Sequence, residues 1–485
     1  MSLFVVGTSS HVGKSVTVAA LCRCLVRRGV SVAPFKSQNM SLNSFVTGDG
    51  GEIGMAQAMQ AFAARLLPTT DMNPVLLKPK GDCVSQVILH GHPYKDVPIA
   101  EYYRETPWLL TEAIRAFHRL EKTYGHVVVE GAGGAAEVNL YDKDIANTQL
   151  ALALRLPVIL VADIERGGVF AQVYGTLKLL PPELQPLVKG IIINKFRGDP
   201  AIFSSGVKII EDLTGVPVLG IVPYFSIVLP SEDSLSISDK KTTNLPVRIA
   251  VIRFPHIANF TDFELLEQYA AVEYVALGSS LDGYDCVILP GTKNTVDDLL
   301  SLRKSGTDAG LRKTHENGVP VIGICGGYQM LGQELVDDGF ESARGTYAGL
   351  GLLDGVTRFA SYNKNTVQVH RTACPVPPIL SGIGKVTGYE IHMGVTGRGN
   401  DHEAFSGDGA VSADGLVFGT YMHGLFLNPS AVNALLSYLY KKRGLPFTYV
   451  PDSASDPYEA LADAFEAHVD MDRITALLCG SESKE

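Results

Sequence analysis

Two strand–turn–helix junctions of unlike chemistry, far apart on one chain, constrain the fold more than any other feature. The first opens the sequence. Leu3-Phe-Val-Val6 runs into Gly7-Thr8-Ser9-Ser10-His11-Val12-Gly13-Lys14-Ser15, and Val16–Arg28 follows with helical spacing and Gly29 as its stop. In the second, Val319–Ile324 reaches Cys325-Gly326-Gly327, and Tyr328–Leu335 is predicted to be a helix. Each junction needs its own sheet, and 485 residues exceed one ordinary core.

Short apolar runs bounded by Gly or Pro supply the other strands. They are Val127–Val129, Val158–Val161, Ile191–Ile193 and Val218–Val222 in the first half, then Val247–Phe254, Cys286–Leu289 and Leu416–Thr420. Continuous rather than alternating apolar runs belong to parallel sheets covered on both faces. The predicted class is α/β with two doubly wound domains. Residues 226–246 are rich in Ser, Asp, Thr and Lys, which marks the boundary. The expected divisions are 1–228, a linker 229–246, 247–445, and a C-terminal helical extension 446–485.

Composition narrows the classes. Hydrophobic residues are 46% and charged ones 19%, as in a packed globular protein, and a net charge of −10 argues against nucleic-acid or anionic-membrane partners. The seven cysteines are Cys22, Cys24, Cys83, Cys286, Cys325, Cys374 and Cys479; they form no zinc-spaced pairs, and the size calls for no disulfides. With neither a secretory leader pattern nor an apolar span of 18 residues, the expectation is a reduced, cytoplasmic enzyme.

The first junction reads as a phosphate-binding loop. Backbone N–H groups and the dipole at a helix start attract phosphate oxygens. Lys14 is assigned to the β- and γ-phosphates of ATP and the Ser15 hydroxyl to Mg²⁺, with Thr8 and Gly13 shaping the loop. Thr8 stands where the usual pattern has its first glycine, with Gly7 just before it. Glu130, ending Val127-Val-Val-Glu130 before Gly131-Ala-Gly-Gly134, is the favoured carboxylate for Mg²⁺, a cation that prefers oxygen ligands. Asp49 and Glu52 are further metal candidates or else solvated loop acids. Asn194 is either a reader of the adenine edge or a strand-end turn former. The loop resembles the dethiobiotin-synthetase type and lacks, at Ser9, the extra lysine of partition ATPases. That resemblance implies phosphorylation of a carboxylate rather than a partner switch.

The second junction reads as a nucleophile elbow, with Cys325 at a sharp strand-to-helix turn. N–H groups of Gly326 and of Gly291, in Pro290-Gly291-Thr292, are the expected oxyanion donors. His423, in Gly419-Thr-Tyr-Met-His-Gly424, is the base expected to deprotonate the thiol, because the thiolate is the reactive species. The pattern resembles class I glutamine amidotransferases, in which such a thiolate releases ammonia from glutamine. Members of that family carry Glu two residues after the histidine, and here that position is Leu425. Either Cys325 and His423 act as a dyad, or another carboxylate, with Glu390 as candidate, orients the ring.

Further stretches extend the likeness over nearly the whole chain: Pro34-Phe-Lys-Ser-Gln-Asn-Met-Ser-Leu-Asn-Ser44, Gly51-Glu-Ile-Gly-Met-Ala-Gln57, Asn73-Pro-Val-Leu-Leu-Lys-Pro79, Ala162-Asp-Ile-Glu-Arg-Gly-Gly-Val-Phe-Ala171, Ile193-Asn-Lys-Phe-Arg-Gly-Asp199 and Gly388-Tyr-Glu-Ile-His-Met-Gly394. Together they resemble the cobyric acid synthase family, a dethiobiotin-synthetase-like P-loop domain followed by a class I glutamine amidotransferase domain. The resemblance implies ATP- and glutamine-dependent amidation of the b, d, e and g carboxylates of adenosylcobyrinic acid a,c-diamide in cobalamin biosynthesis. Corrinoid, glutamine and ATP are the implied partners, and homo-oligomerisation is left open. Three rivals share part of the pattern: cobyrinate a,c-diamide synthase, a CTP-synthase-like ligase, and a P-loop regulator carrying an inactive amidase-like domain. The last is disfavoured by the intact Cys325 and His423 and by the missing switch lysine.

Overall fold

The computed structural model describes residues 2–81, 83–224, 243–451 and 456–480. Its described residues fall into two units, each with its own core. One gathers residues 2–41, 52–224 and 456–480; the other gathers 42–51 and 243–451. This differs from the expected boundaries in two places. A short stretch of the first half belongs to the second unit, and the C-terminal helices belong to the first. Residues 229–242 of the expected linker lie outside the described residues.

The first unit is built on a six-stranded parallel sheet. Its spatial order is Val218–Pro223, Val188–Phe196, Val158–Asp163, Leu3–Gly7, His126–Glu130 and Val32–Phe35. Every predicted strand of this half is present, and Val32–Phe35 is one the apolar runs did not single out. Successive residues alternate between two cores. Phe4, Val6, Val127 and Val129 pack on one face, and Leu3, Val5, Val128 and Ile159 on the other. Both faces are therefore dry, which is why the strands read as unbroken apolar runs.

Helix Lys14–Arg27 covers the second of those faces, and Gly29 follows it with a φ of 77°. The C-terminal helices Pro457–Glu466 and Met471–Cys479 cover the same face with Leu461, Phe465, Ile474 and Leu477. Arg23 is 2% exposed, and its Nη1 donates to Glu459 at 2.7 Å. Arg27 donates to Glu459 and Asp463. Expected to be a separate extension, this tail instead shares the core on that face of the first unit's sheet. Glu101–Arg104 lie at the start of helix Ile99–Tyr124, within which Tyr102 is buried and its hydroxyl donates to Gln38 Oε1.

The second unit carries a sheet in the order Ala271–Ala276, Arg248–Arg253, Cys286–Leu289, Val321–Ile324, Val417–Thr420 and Ala410–Val411. The first five strands run parallel and the last antiparallel. A three-stranded antiparallel sheet of Asn365–Thr372, Lys385–His392 and Met422–His423 belongs to the same unit. The predicted helix Tyr328–Leu335 is shorter, spanning Gly326–Leu331, and a strand Glu334–Asp337 follows. Between them Gly332 lies so close to Gly355 that a Cβ would meet its carbonyl oxygen at 2.4 Å, a backbone contact that ends the helix. No helix among the described residues is long and apolar enough to cross a membrane.

Candidate active sites

The phosphate loop leaves the C-terminal end of strand Leu3–Gly7, where open parallel sheets bind ligands. Register brings Val5 beside Glu130 and Gly7 beside Val161. Lys14 folds back over the loop, and its Nζ donates to Ser9 O at 3.0 Å and Gly133 O at 2.8 Å. Thr8 N–H donates to Val161 O, and its hydroxyl donates to Gln172. Gly13 has a φ of +99°, and a Cβ there would lie 2.1 Å from Asn194 Nδ2. A side chain is excluded at this point both by conformation and by space.

Asn194, considered either as a reader of the adenine edge or as a strand-end turn former, touches the loop directly. Its Nδ2 donates to Val12 O at 2.8 Å and braces the loop from beneath. Ser15 Oγ donates to Glu130 Oε1 at 2.8 Å, so two of the metal candidates are brought together. Glu130 is fully buried, and Lys36 Nζ donates to it at 2.8 Å while Gln57 and Gln60 donate to its other oxygen. A carboxylate this deep must be paired to remain charged. Lys36 carried no assigned role in the sequence, although it stands within the distinctive Pro34–Ser44 stretch.

The other two metal candidates are placed elsewhere. Glu52 is fully buried and accepts from Lys78 Nζ at 2.5 Å, a buried ion pair like that of Glu130 with Lys36. Asp49 is exposed, belongs to the second unit, and accepts from the Thr47 hydroxyl. Of the four metal candidates, Ser15 and Glu130 are a pair in direct contact. Their side-chain oxygens, close together at a phosphate loop, suit Mg²⁺, which is commonly held by one or two protein oxygens together with phosphate and water.

In the second unit Cys325 ends strand Val321–Ile324 with φ 51° and ψ −110°, a strained conformation for a residue with a side chain. Its N–H donates to Thr420 O at 2.8 Å, and the thiol reaches Ile391 O at 3.5 Å. The glycines around it are forced by close approach. A Cβ on Gly327 would lie 2.0 Å from Leu289 O, and one on Gly326 would lie 2.7 Å from Thr292 Cγ2. A Cβ on Gly291 would lie 2.7 Å from His423 Cε1. Cys325, Gly326, Gly291 and His423 are thus brought together as the sequence predicts.

The residue that orients His423 is Asp262, not Glu390. His423 Nδ1–H donates to Asp262 Oδ2 at 2.7 Å, and Gly424 N–H donates to Asp262 Oδ1 at 2.9 Å. Glu390 accepts from Arg371 Nη2 at 2.6 Å and lies 3.6 Å from His392, so its charge is met there. Burial by itself lowers the His423 pKa; the Asp262 charge and the hydrogen-bonded Cys325 thiol more than reverse this and raise it to about 10. A ring that holds its proton this firmly is suited to take one from the thiol. No spacing rule could have found Asp262, which stands 161 residues before its partner. Its one sequence signal is an acid in the loop after strand Arg248–Arg253.

Gly388-Tyr-Glu-Ile-His-Met-Gly394 forms one wall. Tyr389 stacks on His423 with ring centroids 5.6 Å apart, Ile391 O meets the thiol, and Met393 O accepts from Gln329. Gln329 also accepts from Thr295, which fixes the helix that follows the elbow.

Residues 3–236 match the CobQ/CobB/MinD/ParA nucleotide-binding domain, and residues 248–431 match the CobB/CobQ-like glutamine amidotransferase domain. A probable cobyric acid synthase of Methanoregula boonei is 74% identical over 99% of this chain and 100% of its own length. Those of Methanosphaerula palustris and Methanosarcina mazei are 68% and 52% identical, each over at least 98% of both chains. The chain belongs to the cobyric acid synthase family. As in that family, a nucleotide-binding domain precedes a glutamine amidotransferase domain, and the chain is a glutamine-hydrolysing ligase of cobalamin biosynthesis. The phosphate loop lies in the first matched domain. Cys325, His423 and Asp262 lie in the second.

Proposed function

We propose that the chain converts adenosylcobyrinic acid a,c-diamide to adenosylcobyric acid, amidating the b, d, e and g carboxylates with one ATP and one glutamine each. The observation that carries this reading is a phosphate loop with Ser15 against Glu130 and a Cys325–His423–Asp262 array on one chain, in a member of this family.

The chemistry divides between the two sites. A substrate carboxylate attacks the γ-phosphorus of ATP, giving an acyl phosphate and ADP. Loop N–H groups and Lys14 bind the phosphates and stabilise charge on the transferring group. Ser15 and Glu130 would hold Mg²⁺, which supplies charge neutralisation to the phosphates when bound. In the second unit His423 takes the Cys325 proton and the thiolate attacks the glutamine side-chain amide. N–H groups of Gly326 and Gly291 receive the developing oxyanion. The imidazolium returns its proton to the leaving nitrogen, releasing ammonia and leaving a glutamyl thioester that water hydrolyses to glutamate. Ammonia then displaces phosphate from the acyl phosphate and leaves the amide.

The test is incubation with ATP, Mg²⁺, glutamine and adenosylcobyrinic acid a,c-diamide, with the corrinoid followed by mass spectrometry. Stepwise conversion of four acids to amides, leaving one carboxylate free, is the expected result. An unchanged corrinoid with glutamine still hydrolysed would reject this substrate and move the search to cobyrinate or UTP as acceptor.

A further inference from the structure

The second unit contains a piece of chain that does not come from the second half of the sequence, residues 42–51. It lies against the supports of the glutaminase histidine. Ser44 N–H donates to Asn259 Oδ1 at 3.0 Å, and Phe260 N–H donates to Asn43 Oδ1 at 3.2 Å. Asn43, Ser44 and Asn259 are all buried. Asn259 adopts a left-handed conformation with φ 52° and starts the short turn Phe260–Phe263, which carries Asp262. The two reciprocal hydrogen bonds therefore hold the start of the turn that holds His423.

A second contact reaches the same imidazole from another side. The Phe45 ring lies 5.4 Å from the Tyr389 ring, and Tyr389 stacks on His423. Val46 O accepts from Gln368, which anchors the next residue to strand Asn365–Thr372.

We propose that Asn43, Ser44 and Phe45 are positioning residues of the glutaminase site, fixing His423 through the Asp262 turn and through Tyr389. Proton transfer from the thiol needs the imidazole within a fraction of an ångström of its working place, and supports of this kind set that precision. The segment continues at its two ends into Gln38–Met40 and Glu52–Gly54, strands of the nucleotide-binding unit. Glutamine hydrolysis is thereby tied by two covalent links to the unit that binds ATP.

This inference rests on the amidation reading only for its acceptor, and the experiment separates the two. The full chain is assayed for glutamate release and for corrinoid amidation, with glutamine or with concentrated ammonium salt, in the presence of ATP and Mg²⁺. Asn43→Ala and Phe45→Leu are expected to lower kcat for glutamate release about tenfold or more with KM for glutamine changed less than about threefold. Ammonium-driven amidation is expected to stay within about twofold of wild type. Phe45→Tyr, which keeps the ring, is expected to restore most of the loss at that position. A kcat within about twofold of wild type in both disruptive variants overturns the proposal. So does a parallel fall in ammonium-driven turnover, which a general loss of structure would produce. A wild-type chain that amidates no corrinoid from either nitrogen source defeats the amidation reading instead, while glutamate release still decides the positioning claim.

Discussion

At the scale of single residues, Asp262 governs the glutaminase chemistry through the His423 ring. Asp262→Asn leaves the side-chain shape almost unchanged but removes the charge and lets the amide favour the wrong tautomer. Glutamate release is expected to fall roughly 10²–10⁴-fold in kcat, read by steady-state assay. Glu390→Gln is expected to cost far less, because Glu390 meets Arg371 rather than the imidazole. The raised His423 pKa also makes a stability prediction. Between the ordinary value of 6.5 and about 10, the folded chain binds a proton that the unfolded chain releases. The stabilisation from this group is complete below 6.5 and is lost as pH rises towards 10. Urea midpoints measured across that range should fall with pH in the wild type, and less steeply in Asp262→Asn. The thiol, the histidine and the loop lysine were all legible as residues within local motifs. Asp262 and Lys36 were not, because each meets its partner only after the chain has folded back on itself.

At the scale of elements, the phosphate loop depends on one conformation and one close approach. Gly13→Ala places a methyl group 2.1 Å from Asn194 Nδ2 at a φ of +99°. ATP-dependent amidation is expected to be lost with either nitrogen source, whereas thiol reactivity at Cys325 should persist, as alkylation would show. The C-terminal helices offer a second test. Phe465 is buried against helix Lys14–Arg27 and strand residues of the first core. Phe465→Ala is expected to destabilise the first unit by about 3–5 kcal/mol, seen as a lower urea midpoint. Continuous apolar runs located the sheets at this scale because both faces are buried. The helix after Cys325 was overextended, since helical spacing in Tyr328–Leu335 cannot show that Gly332 must press against Gly355.

At the scale of the whole molecule, two different domains share one polypeptide, and substitutions should separate their chemistries. Cys325→Ala is expected to abolish glutamine-driven amidation and to leave amidation from concentrated ammonium salt. Lys14→Met is expected to abolish both. Product analysis of the two variants side by side checks this, and equal losses in both would break the division of labour. The units are not consecutive along the chain. Residues 42–51 and the C-terminal helices each belong to the unit whose main sequence lies elsewhere. A boundary drawn from composition alone cuts between the main blocks and misses both exchanges.

By itself the sequence determined the α/β class and located the two junctions with the residues expected to react there. Strand–turn–helix junctions are local, so their glycines, lysine and thiol carry the signal within a few residues. Tertiary structure alone decided which carboxylate serves which partner. Glu130 meets Ser15 and Lys36, Glu52 is paired with Lys78, and Asp262 displaces Glu390 beside His423. A carboxylate's role is set by the charges and donors that surround it after folding, and those come from segments many tens of residues away. The same reason hid the supports at Asn43–Phe45, whose side chains take their meaning only from Asn259, Phe260 and Tyr389.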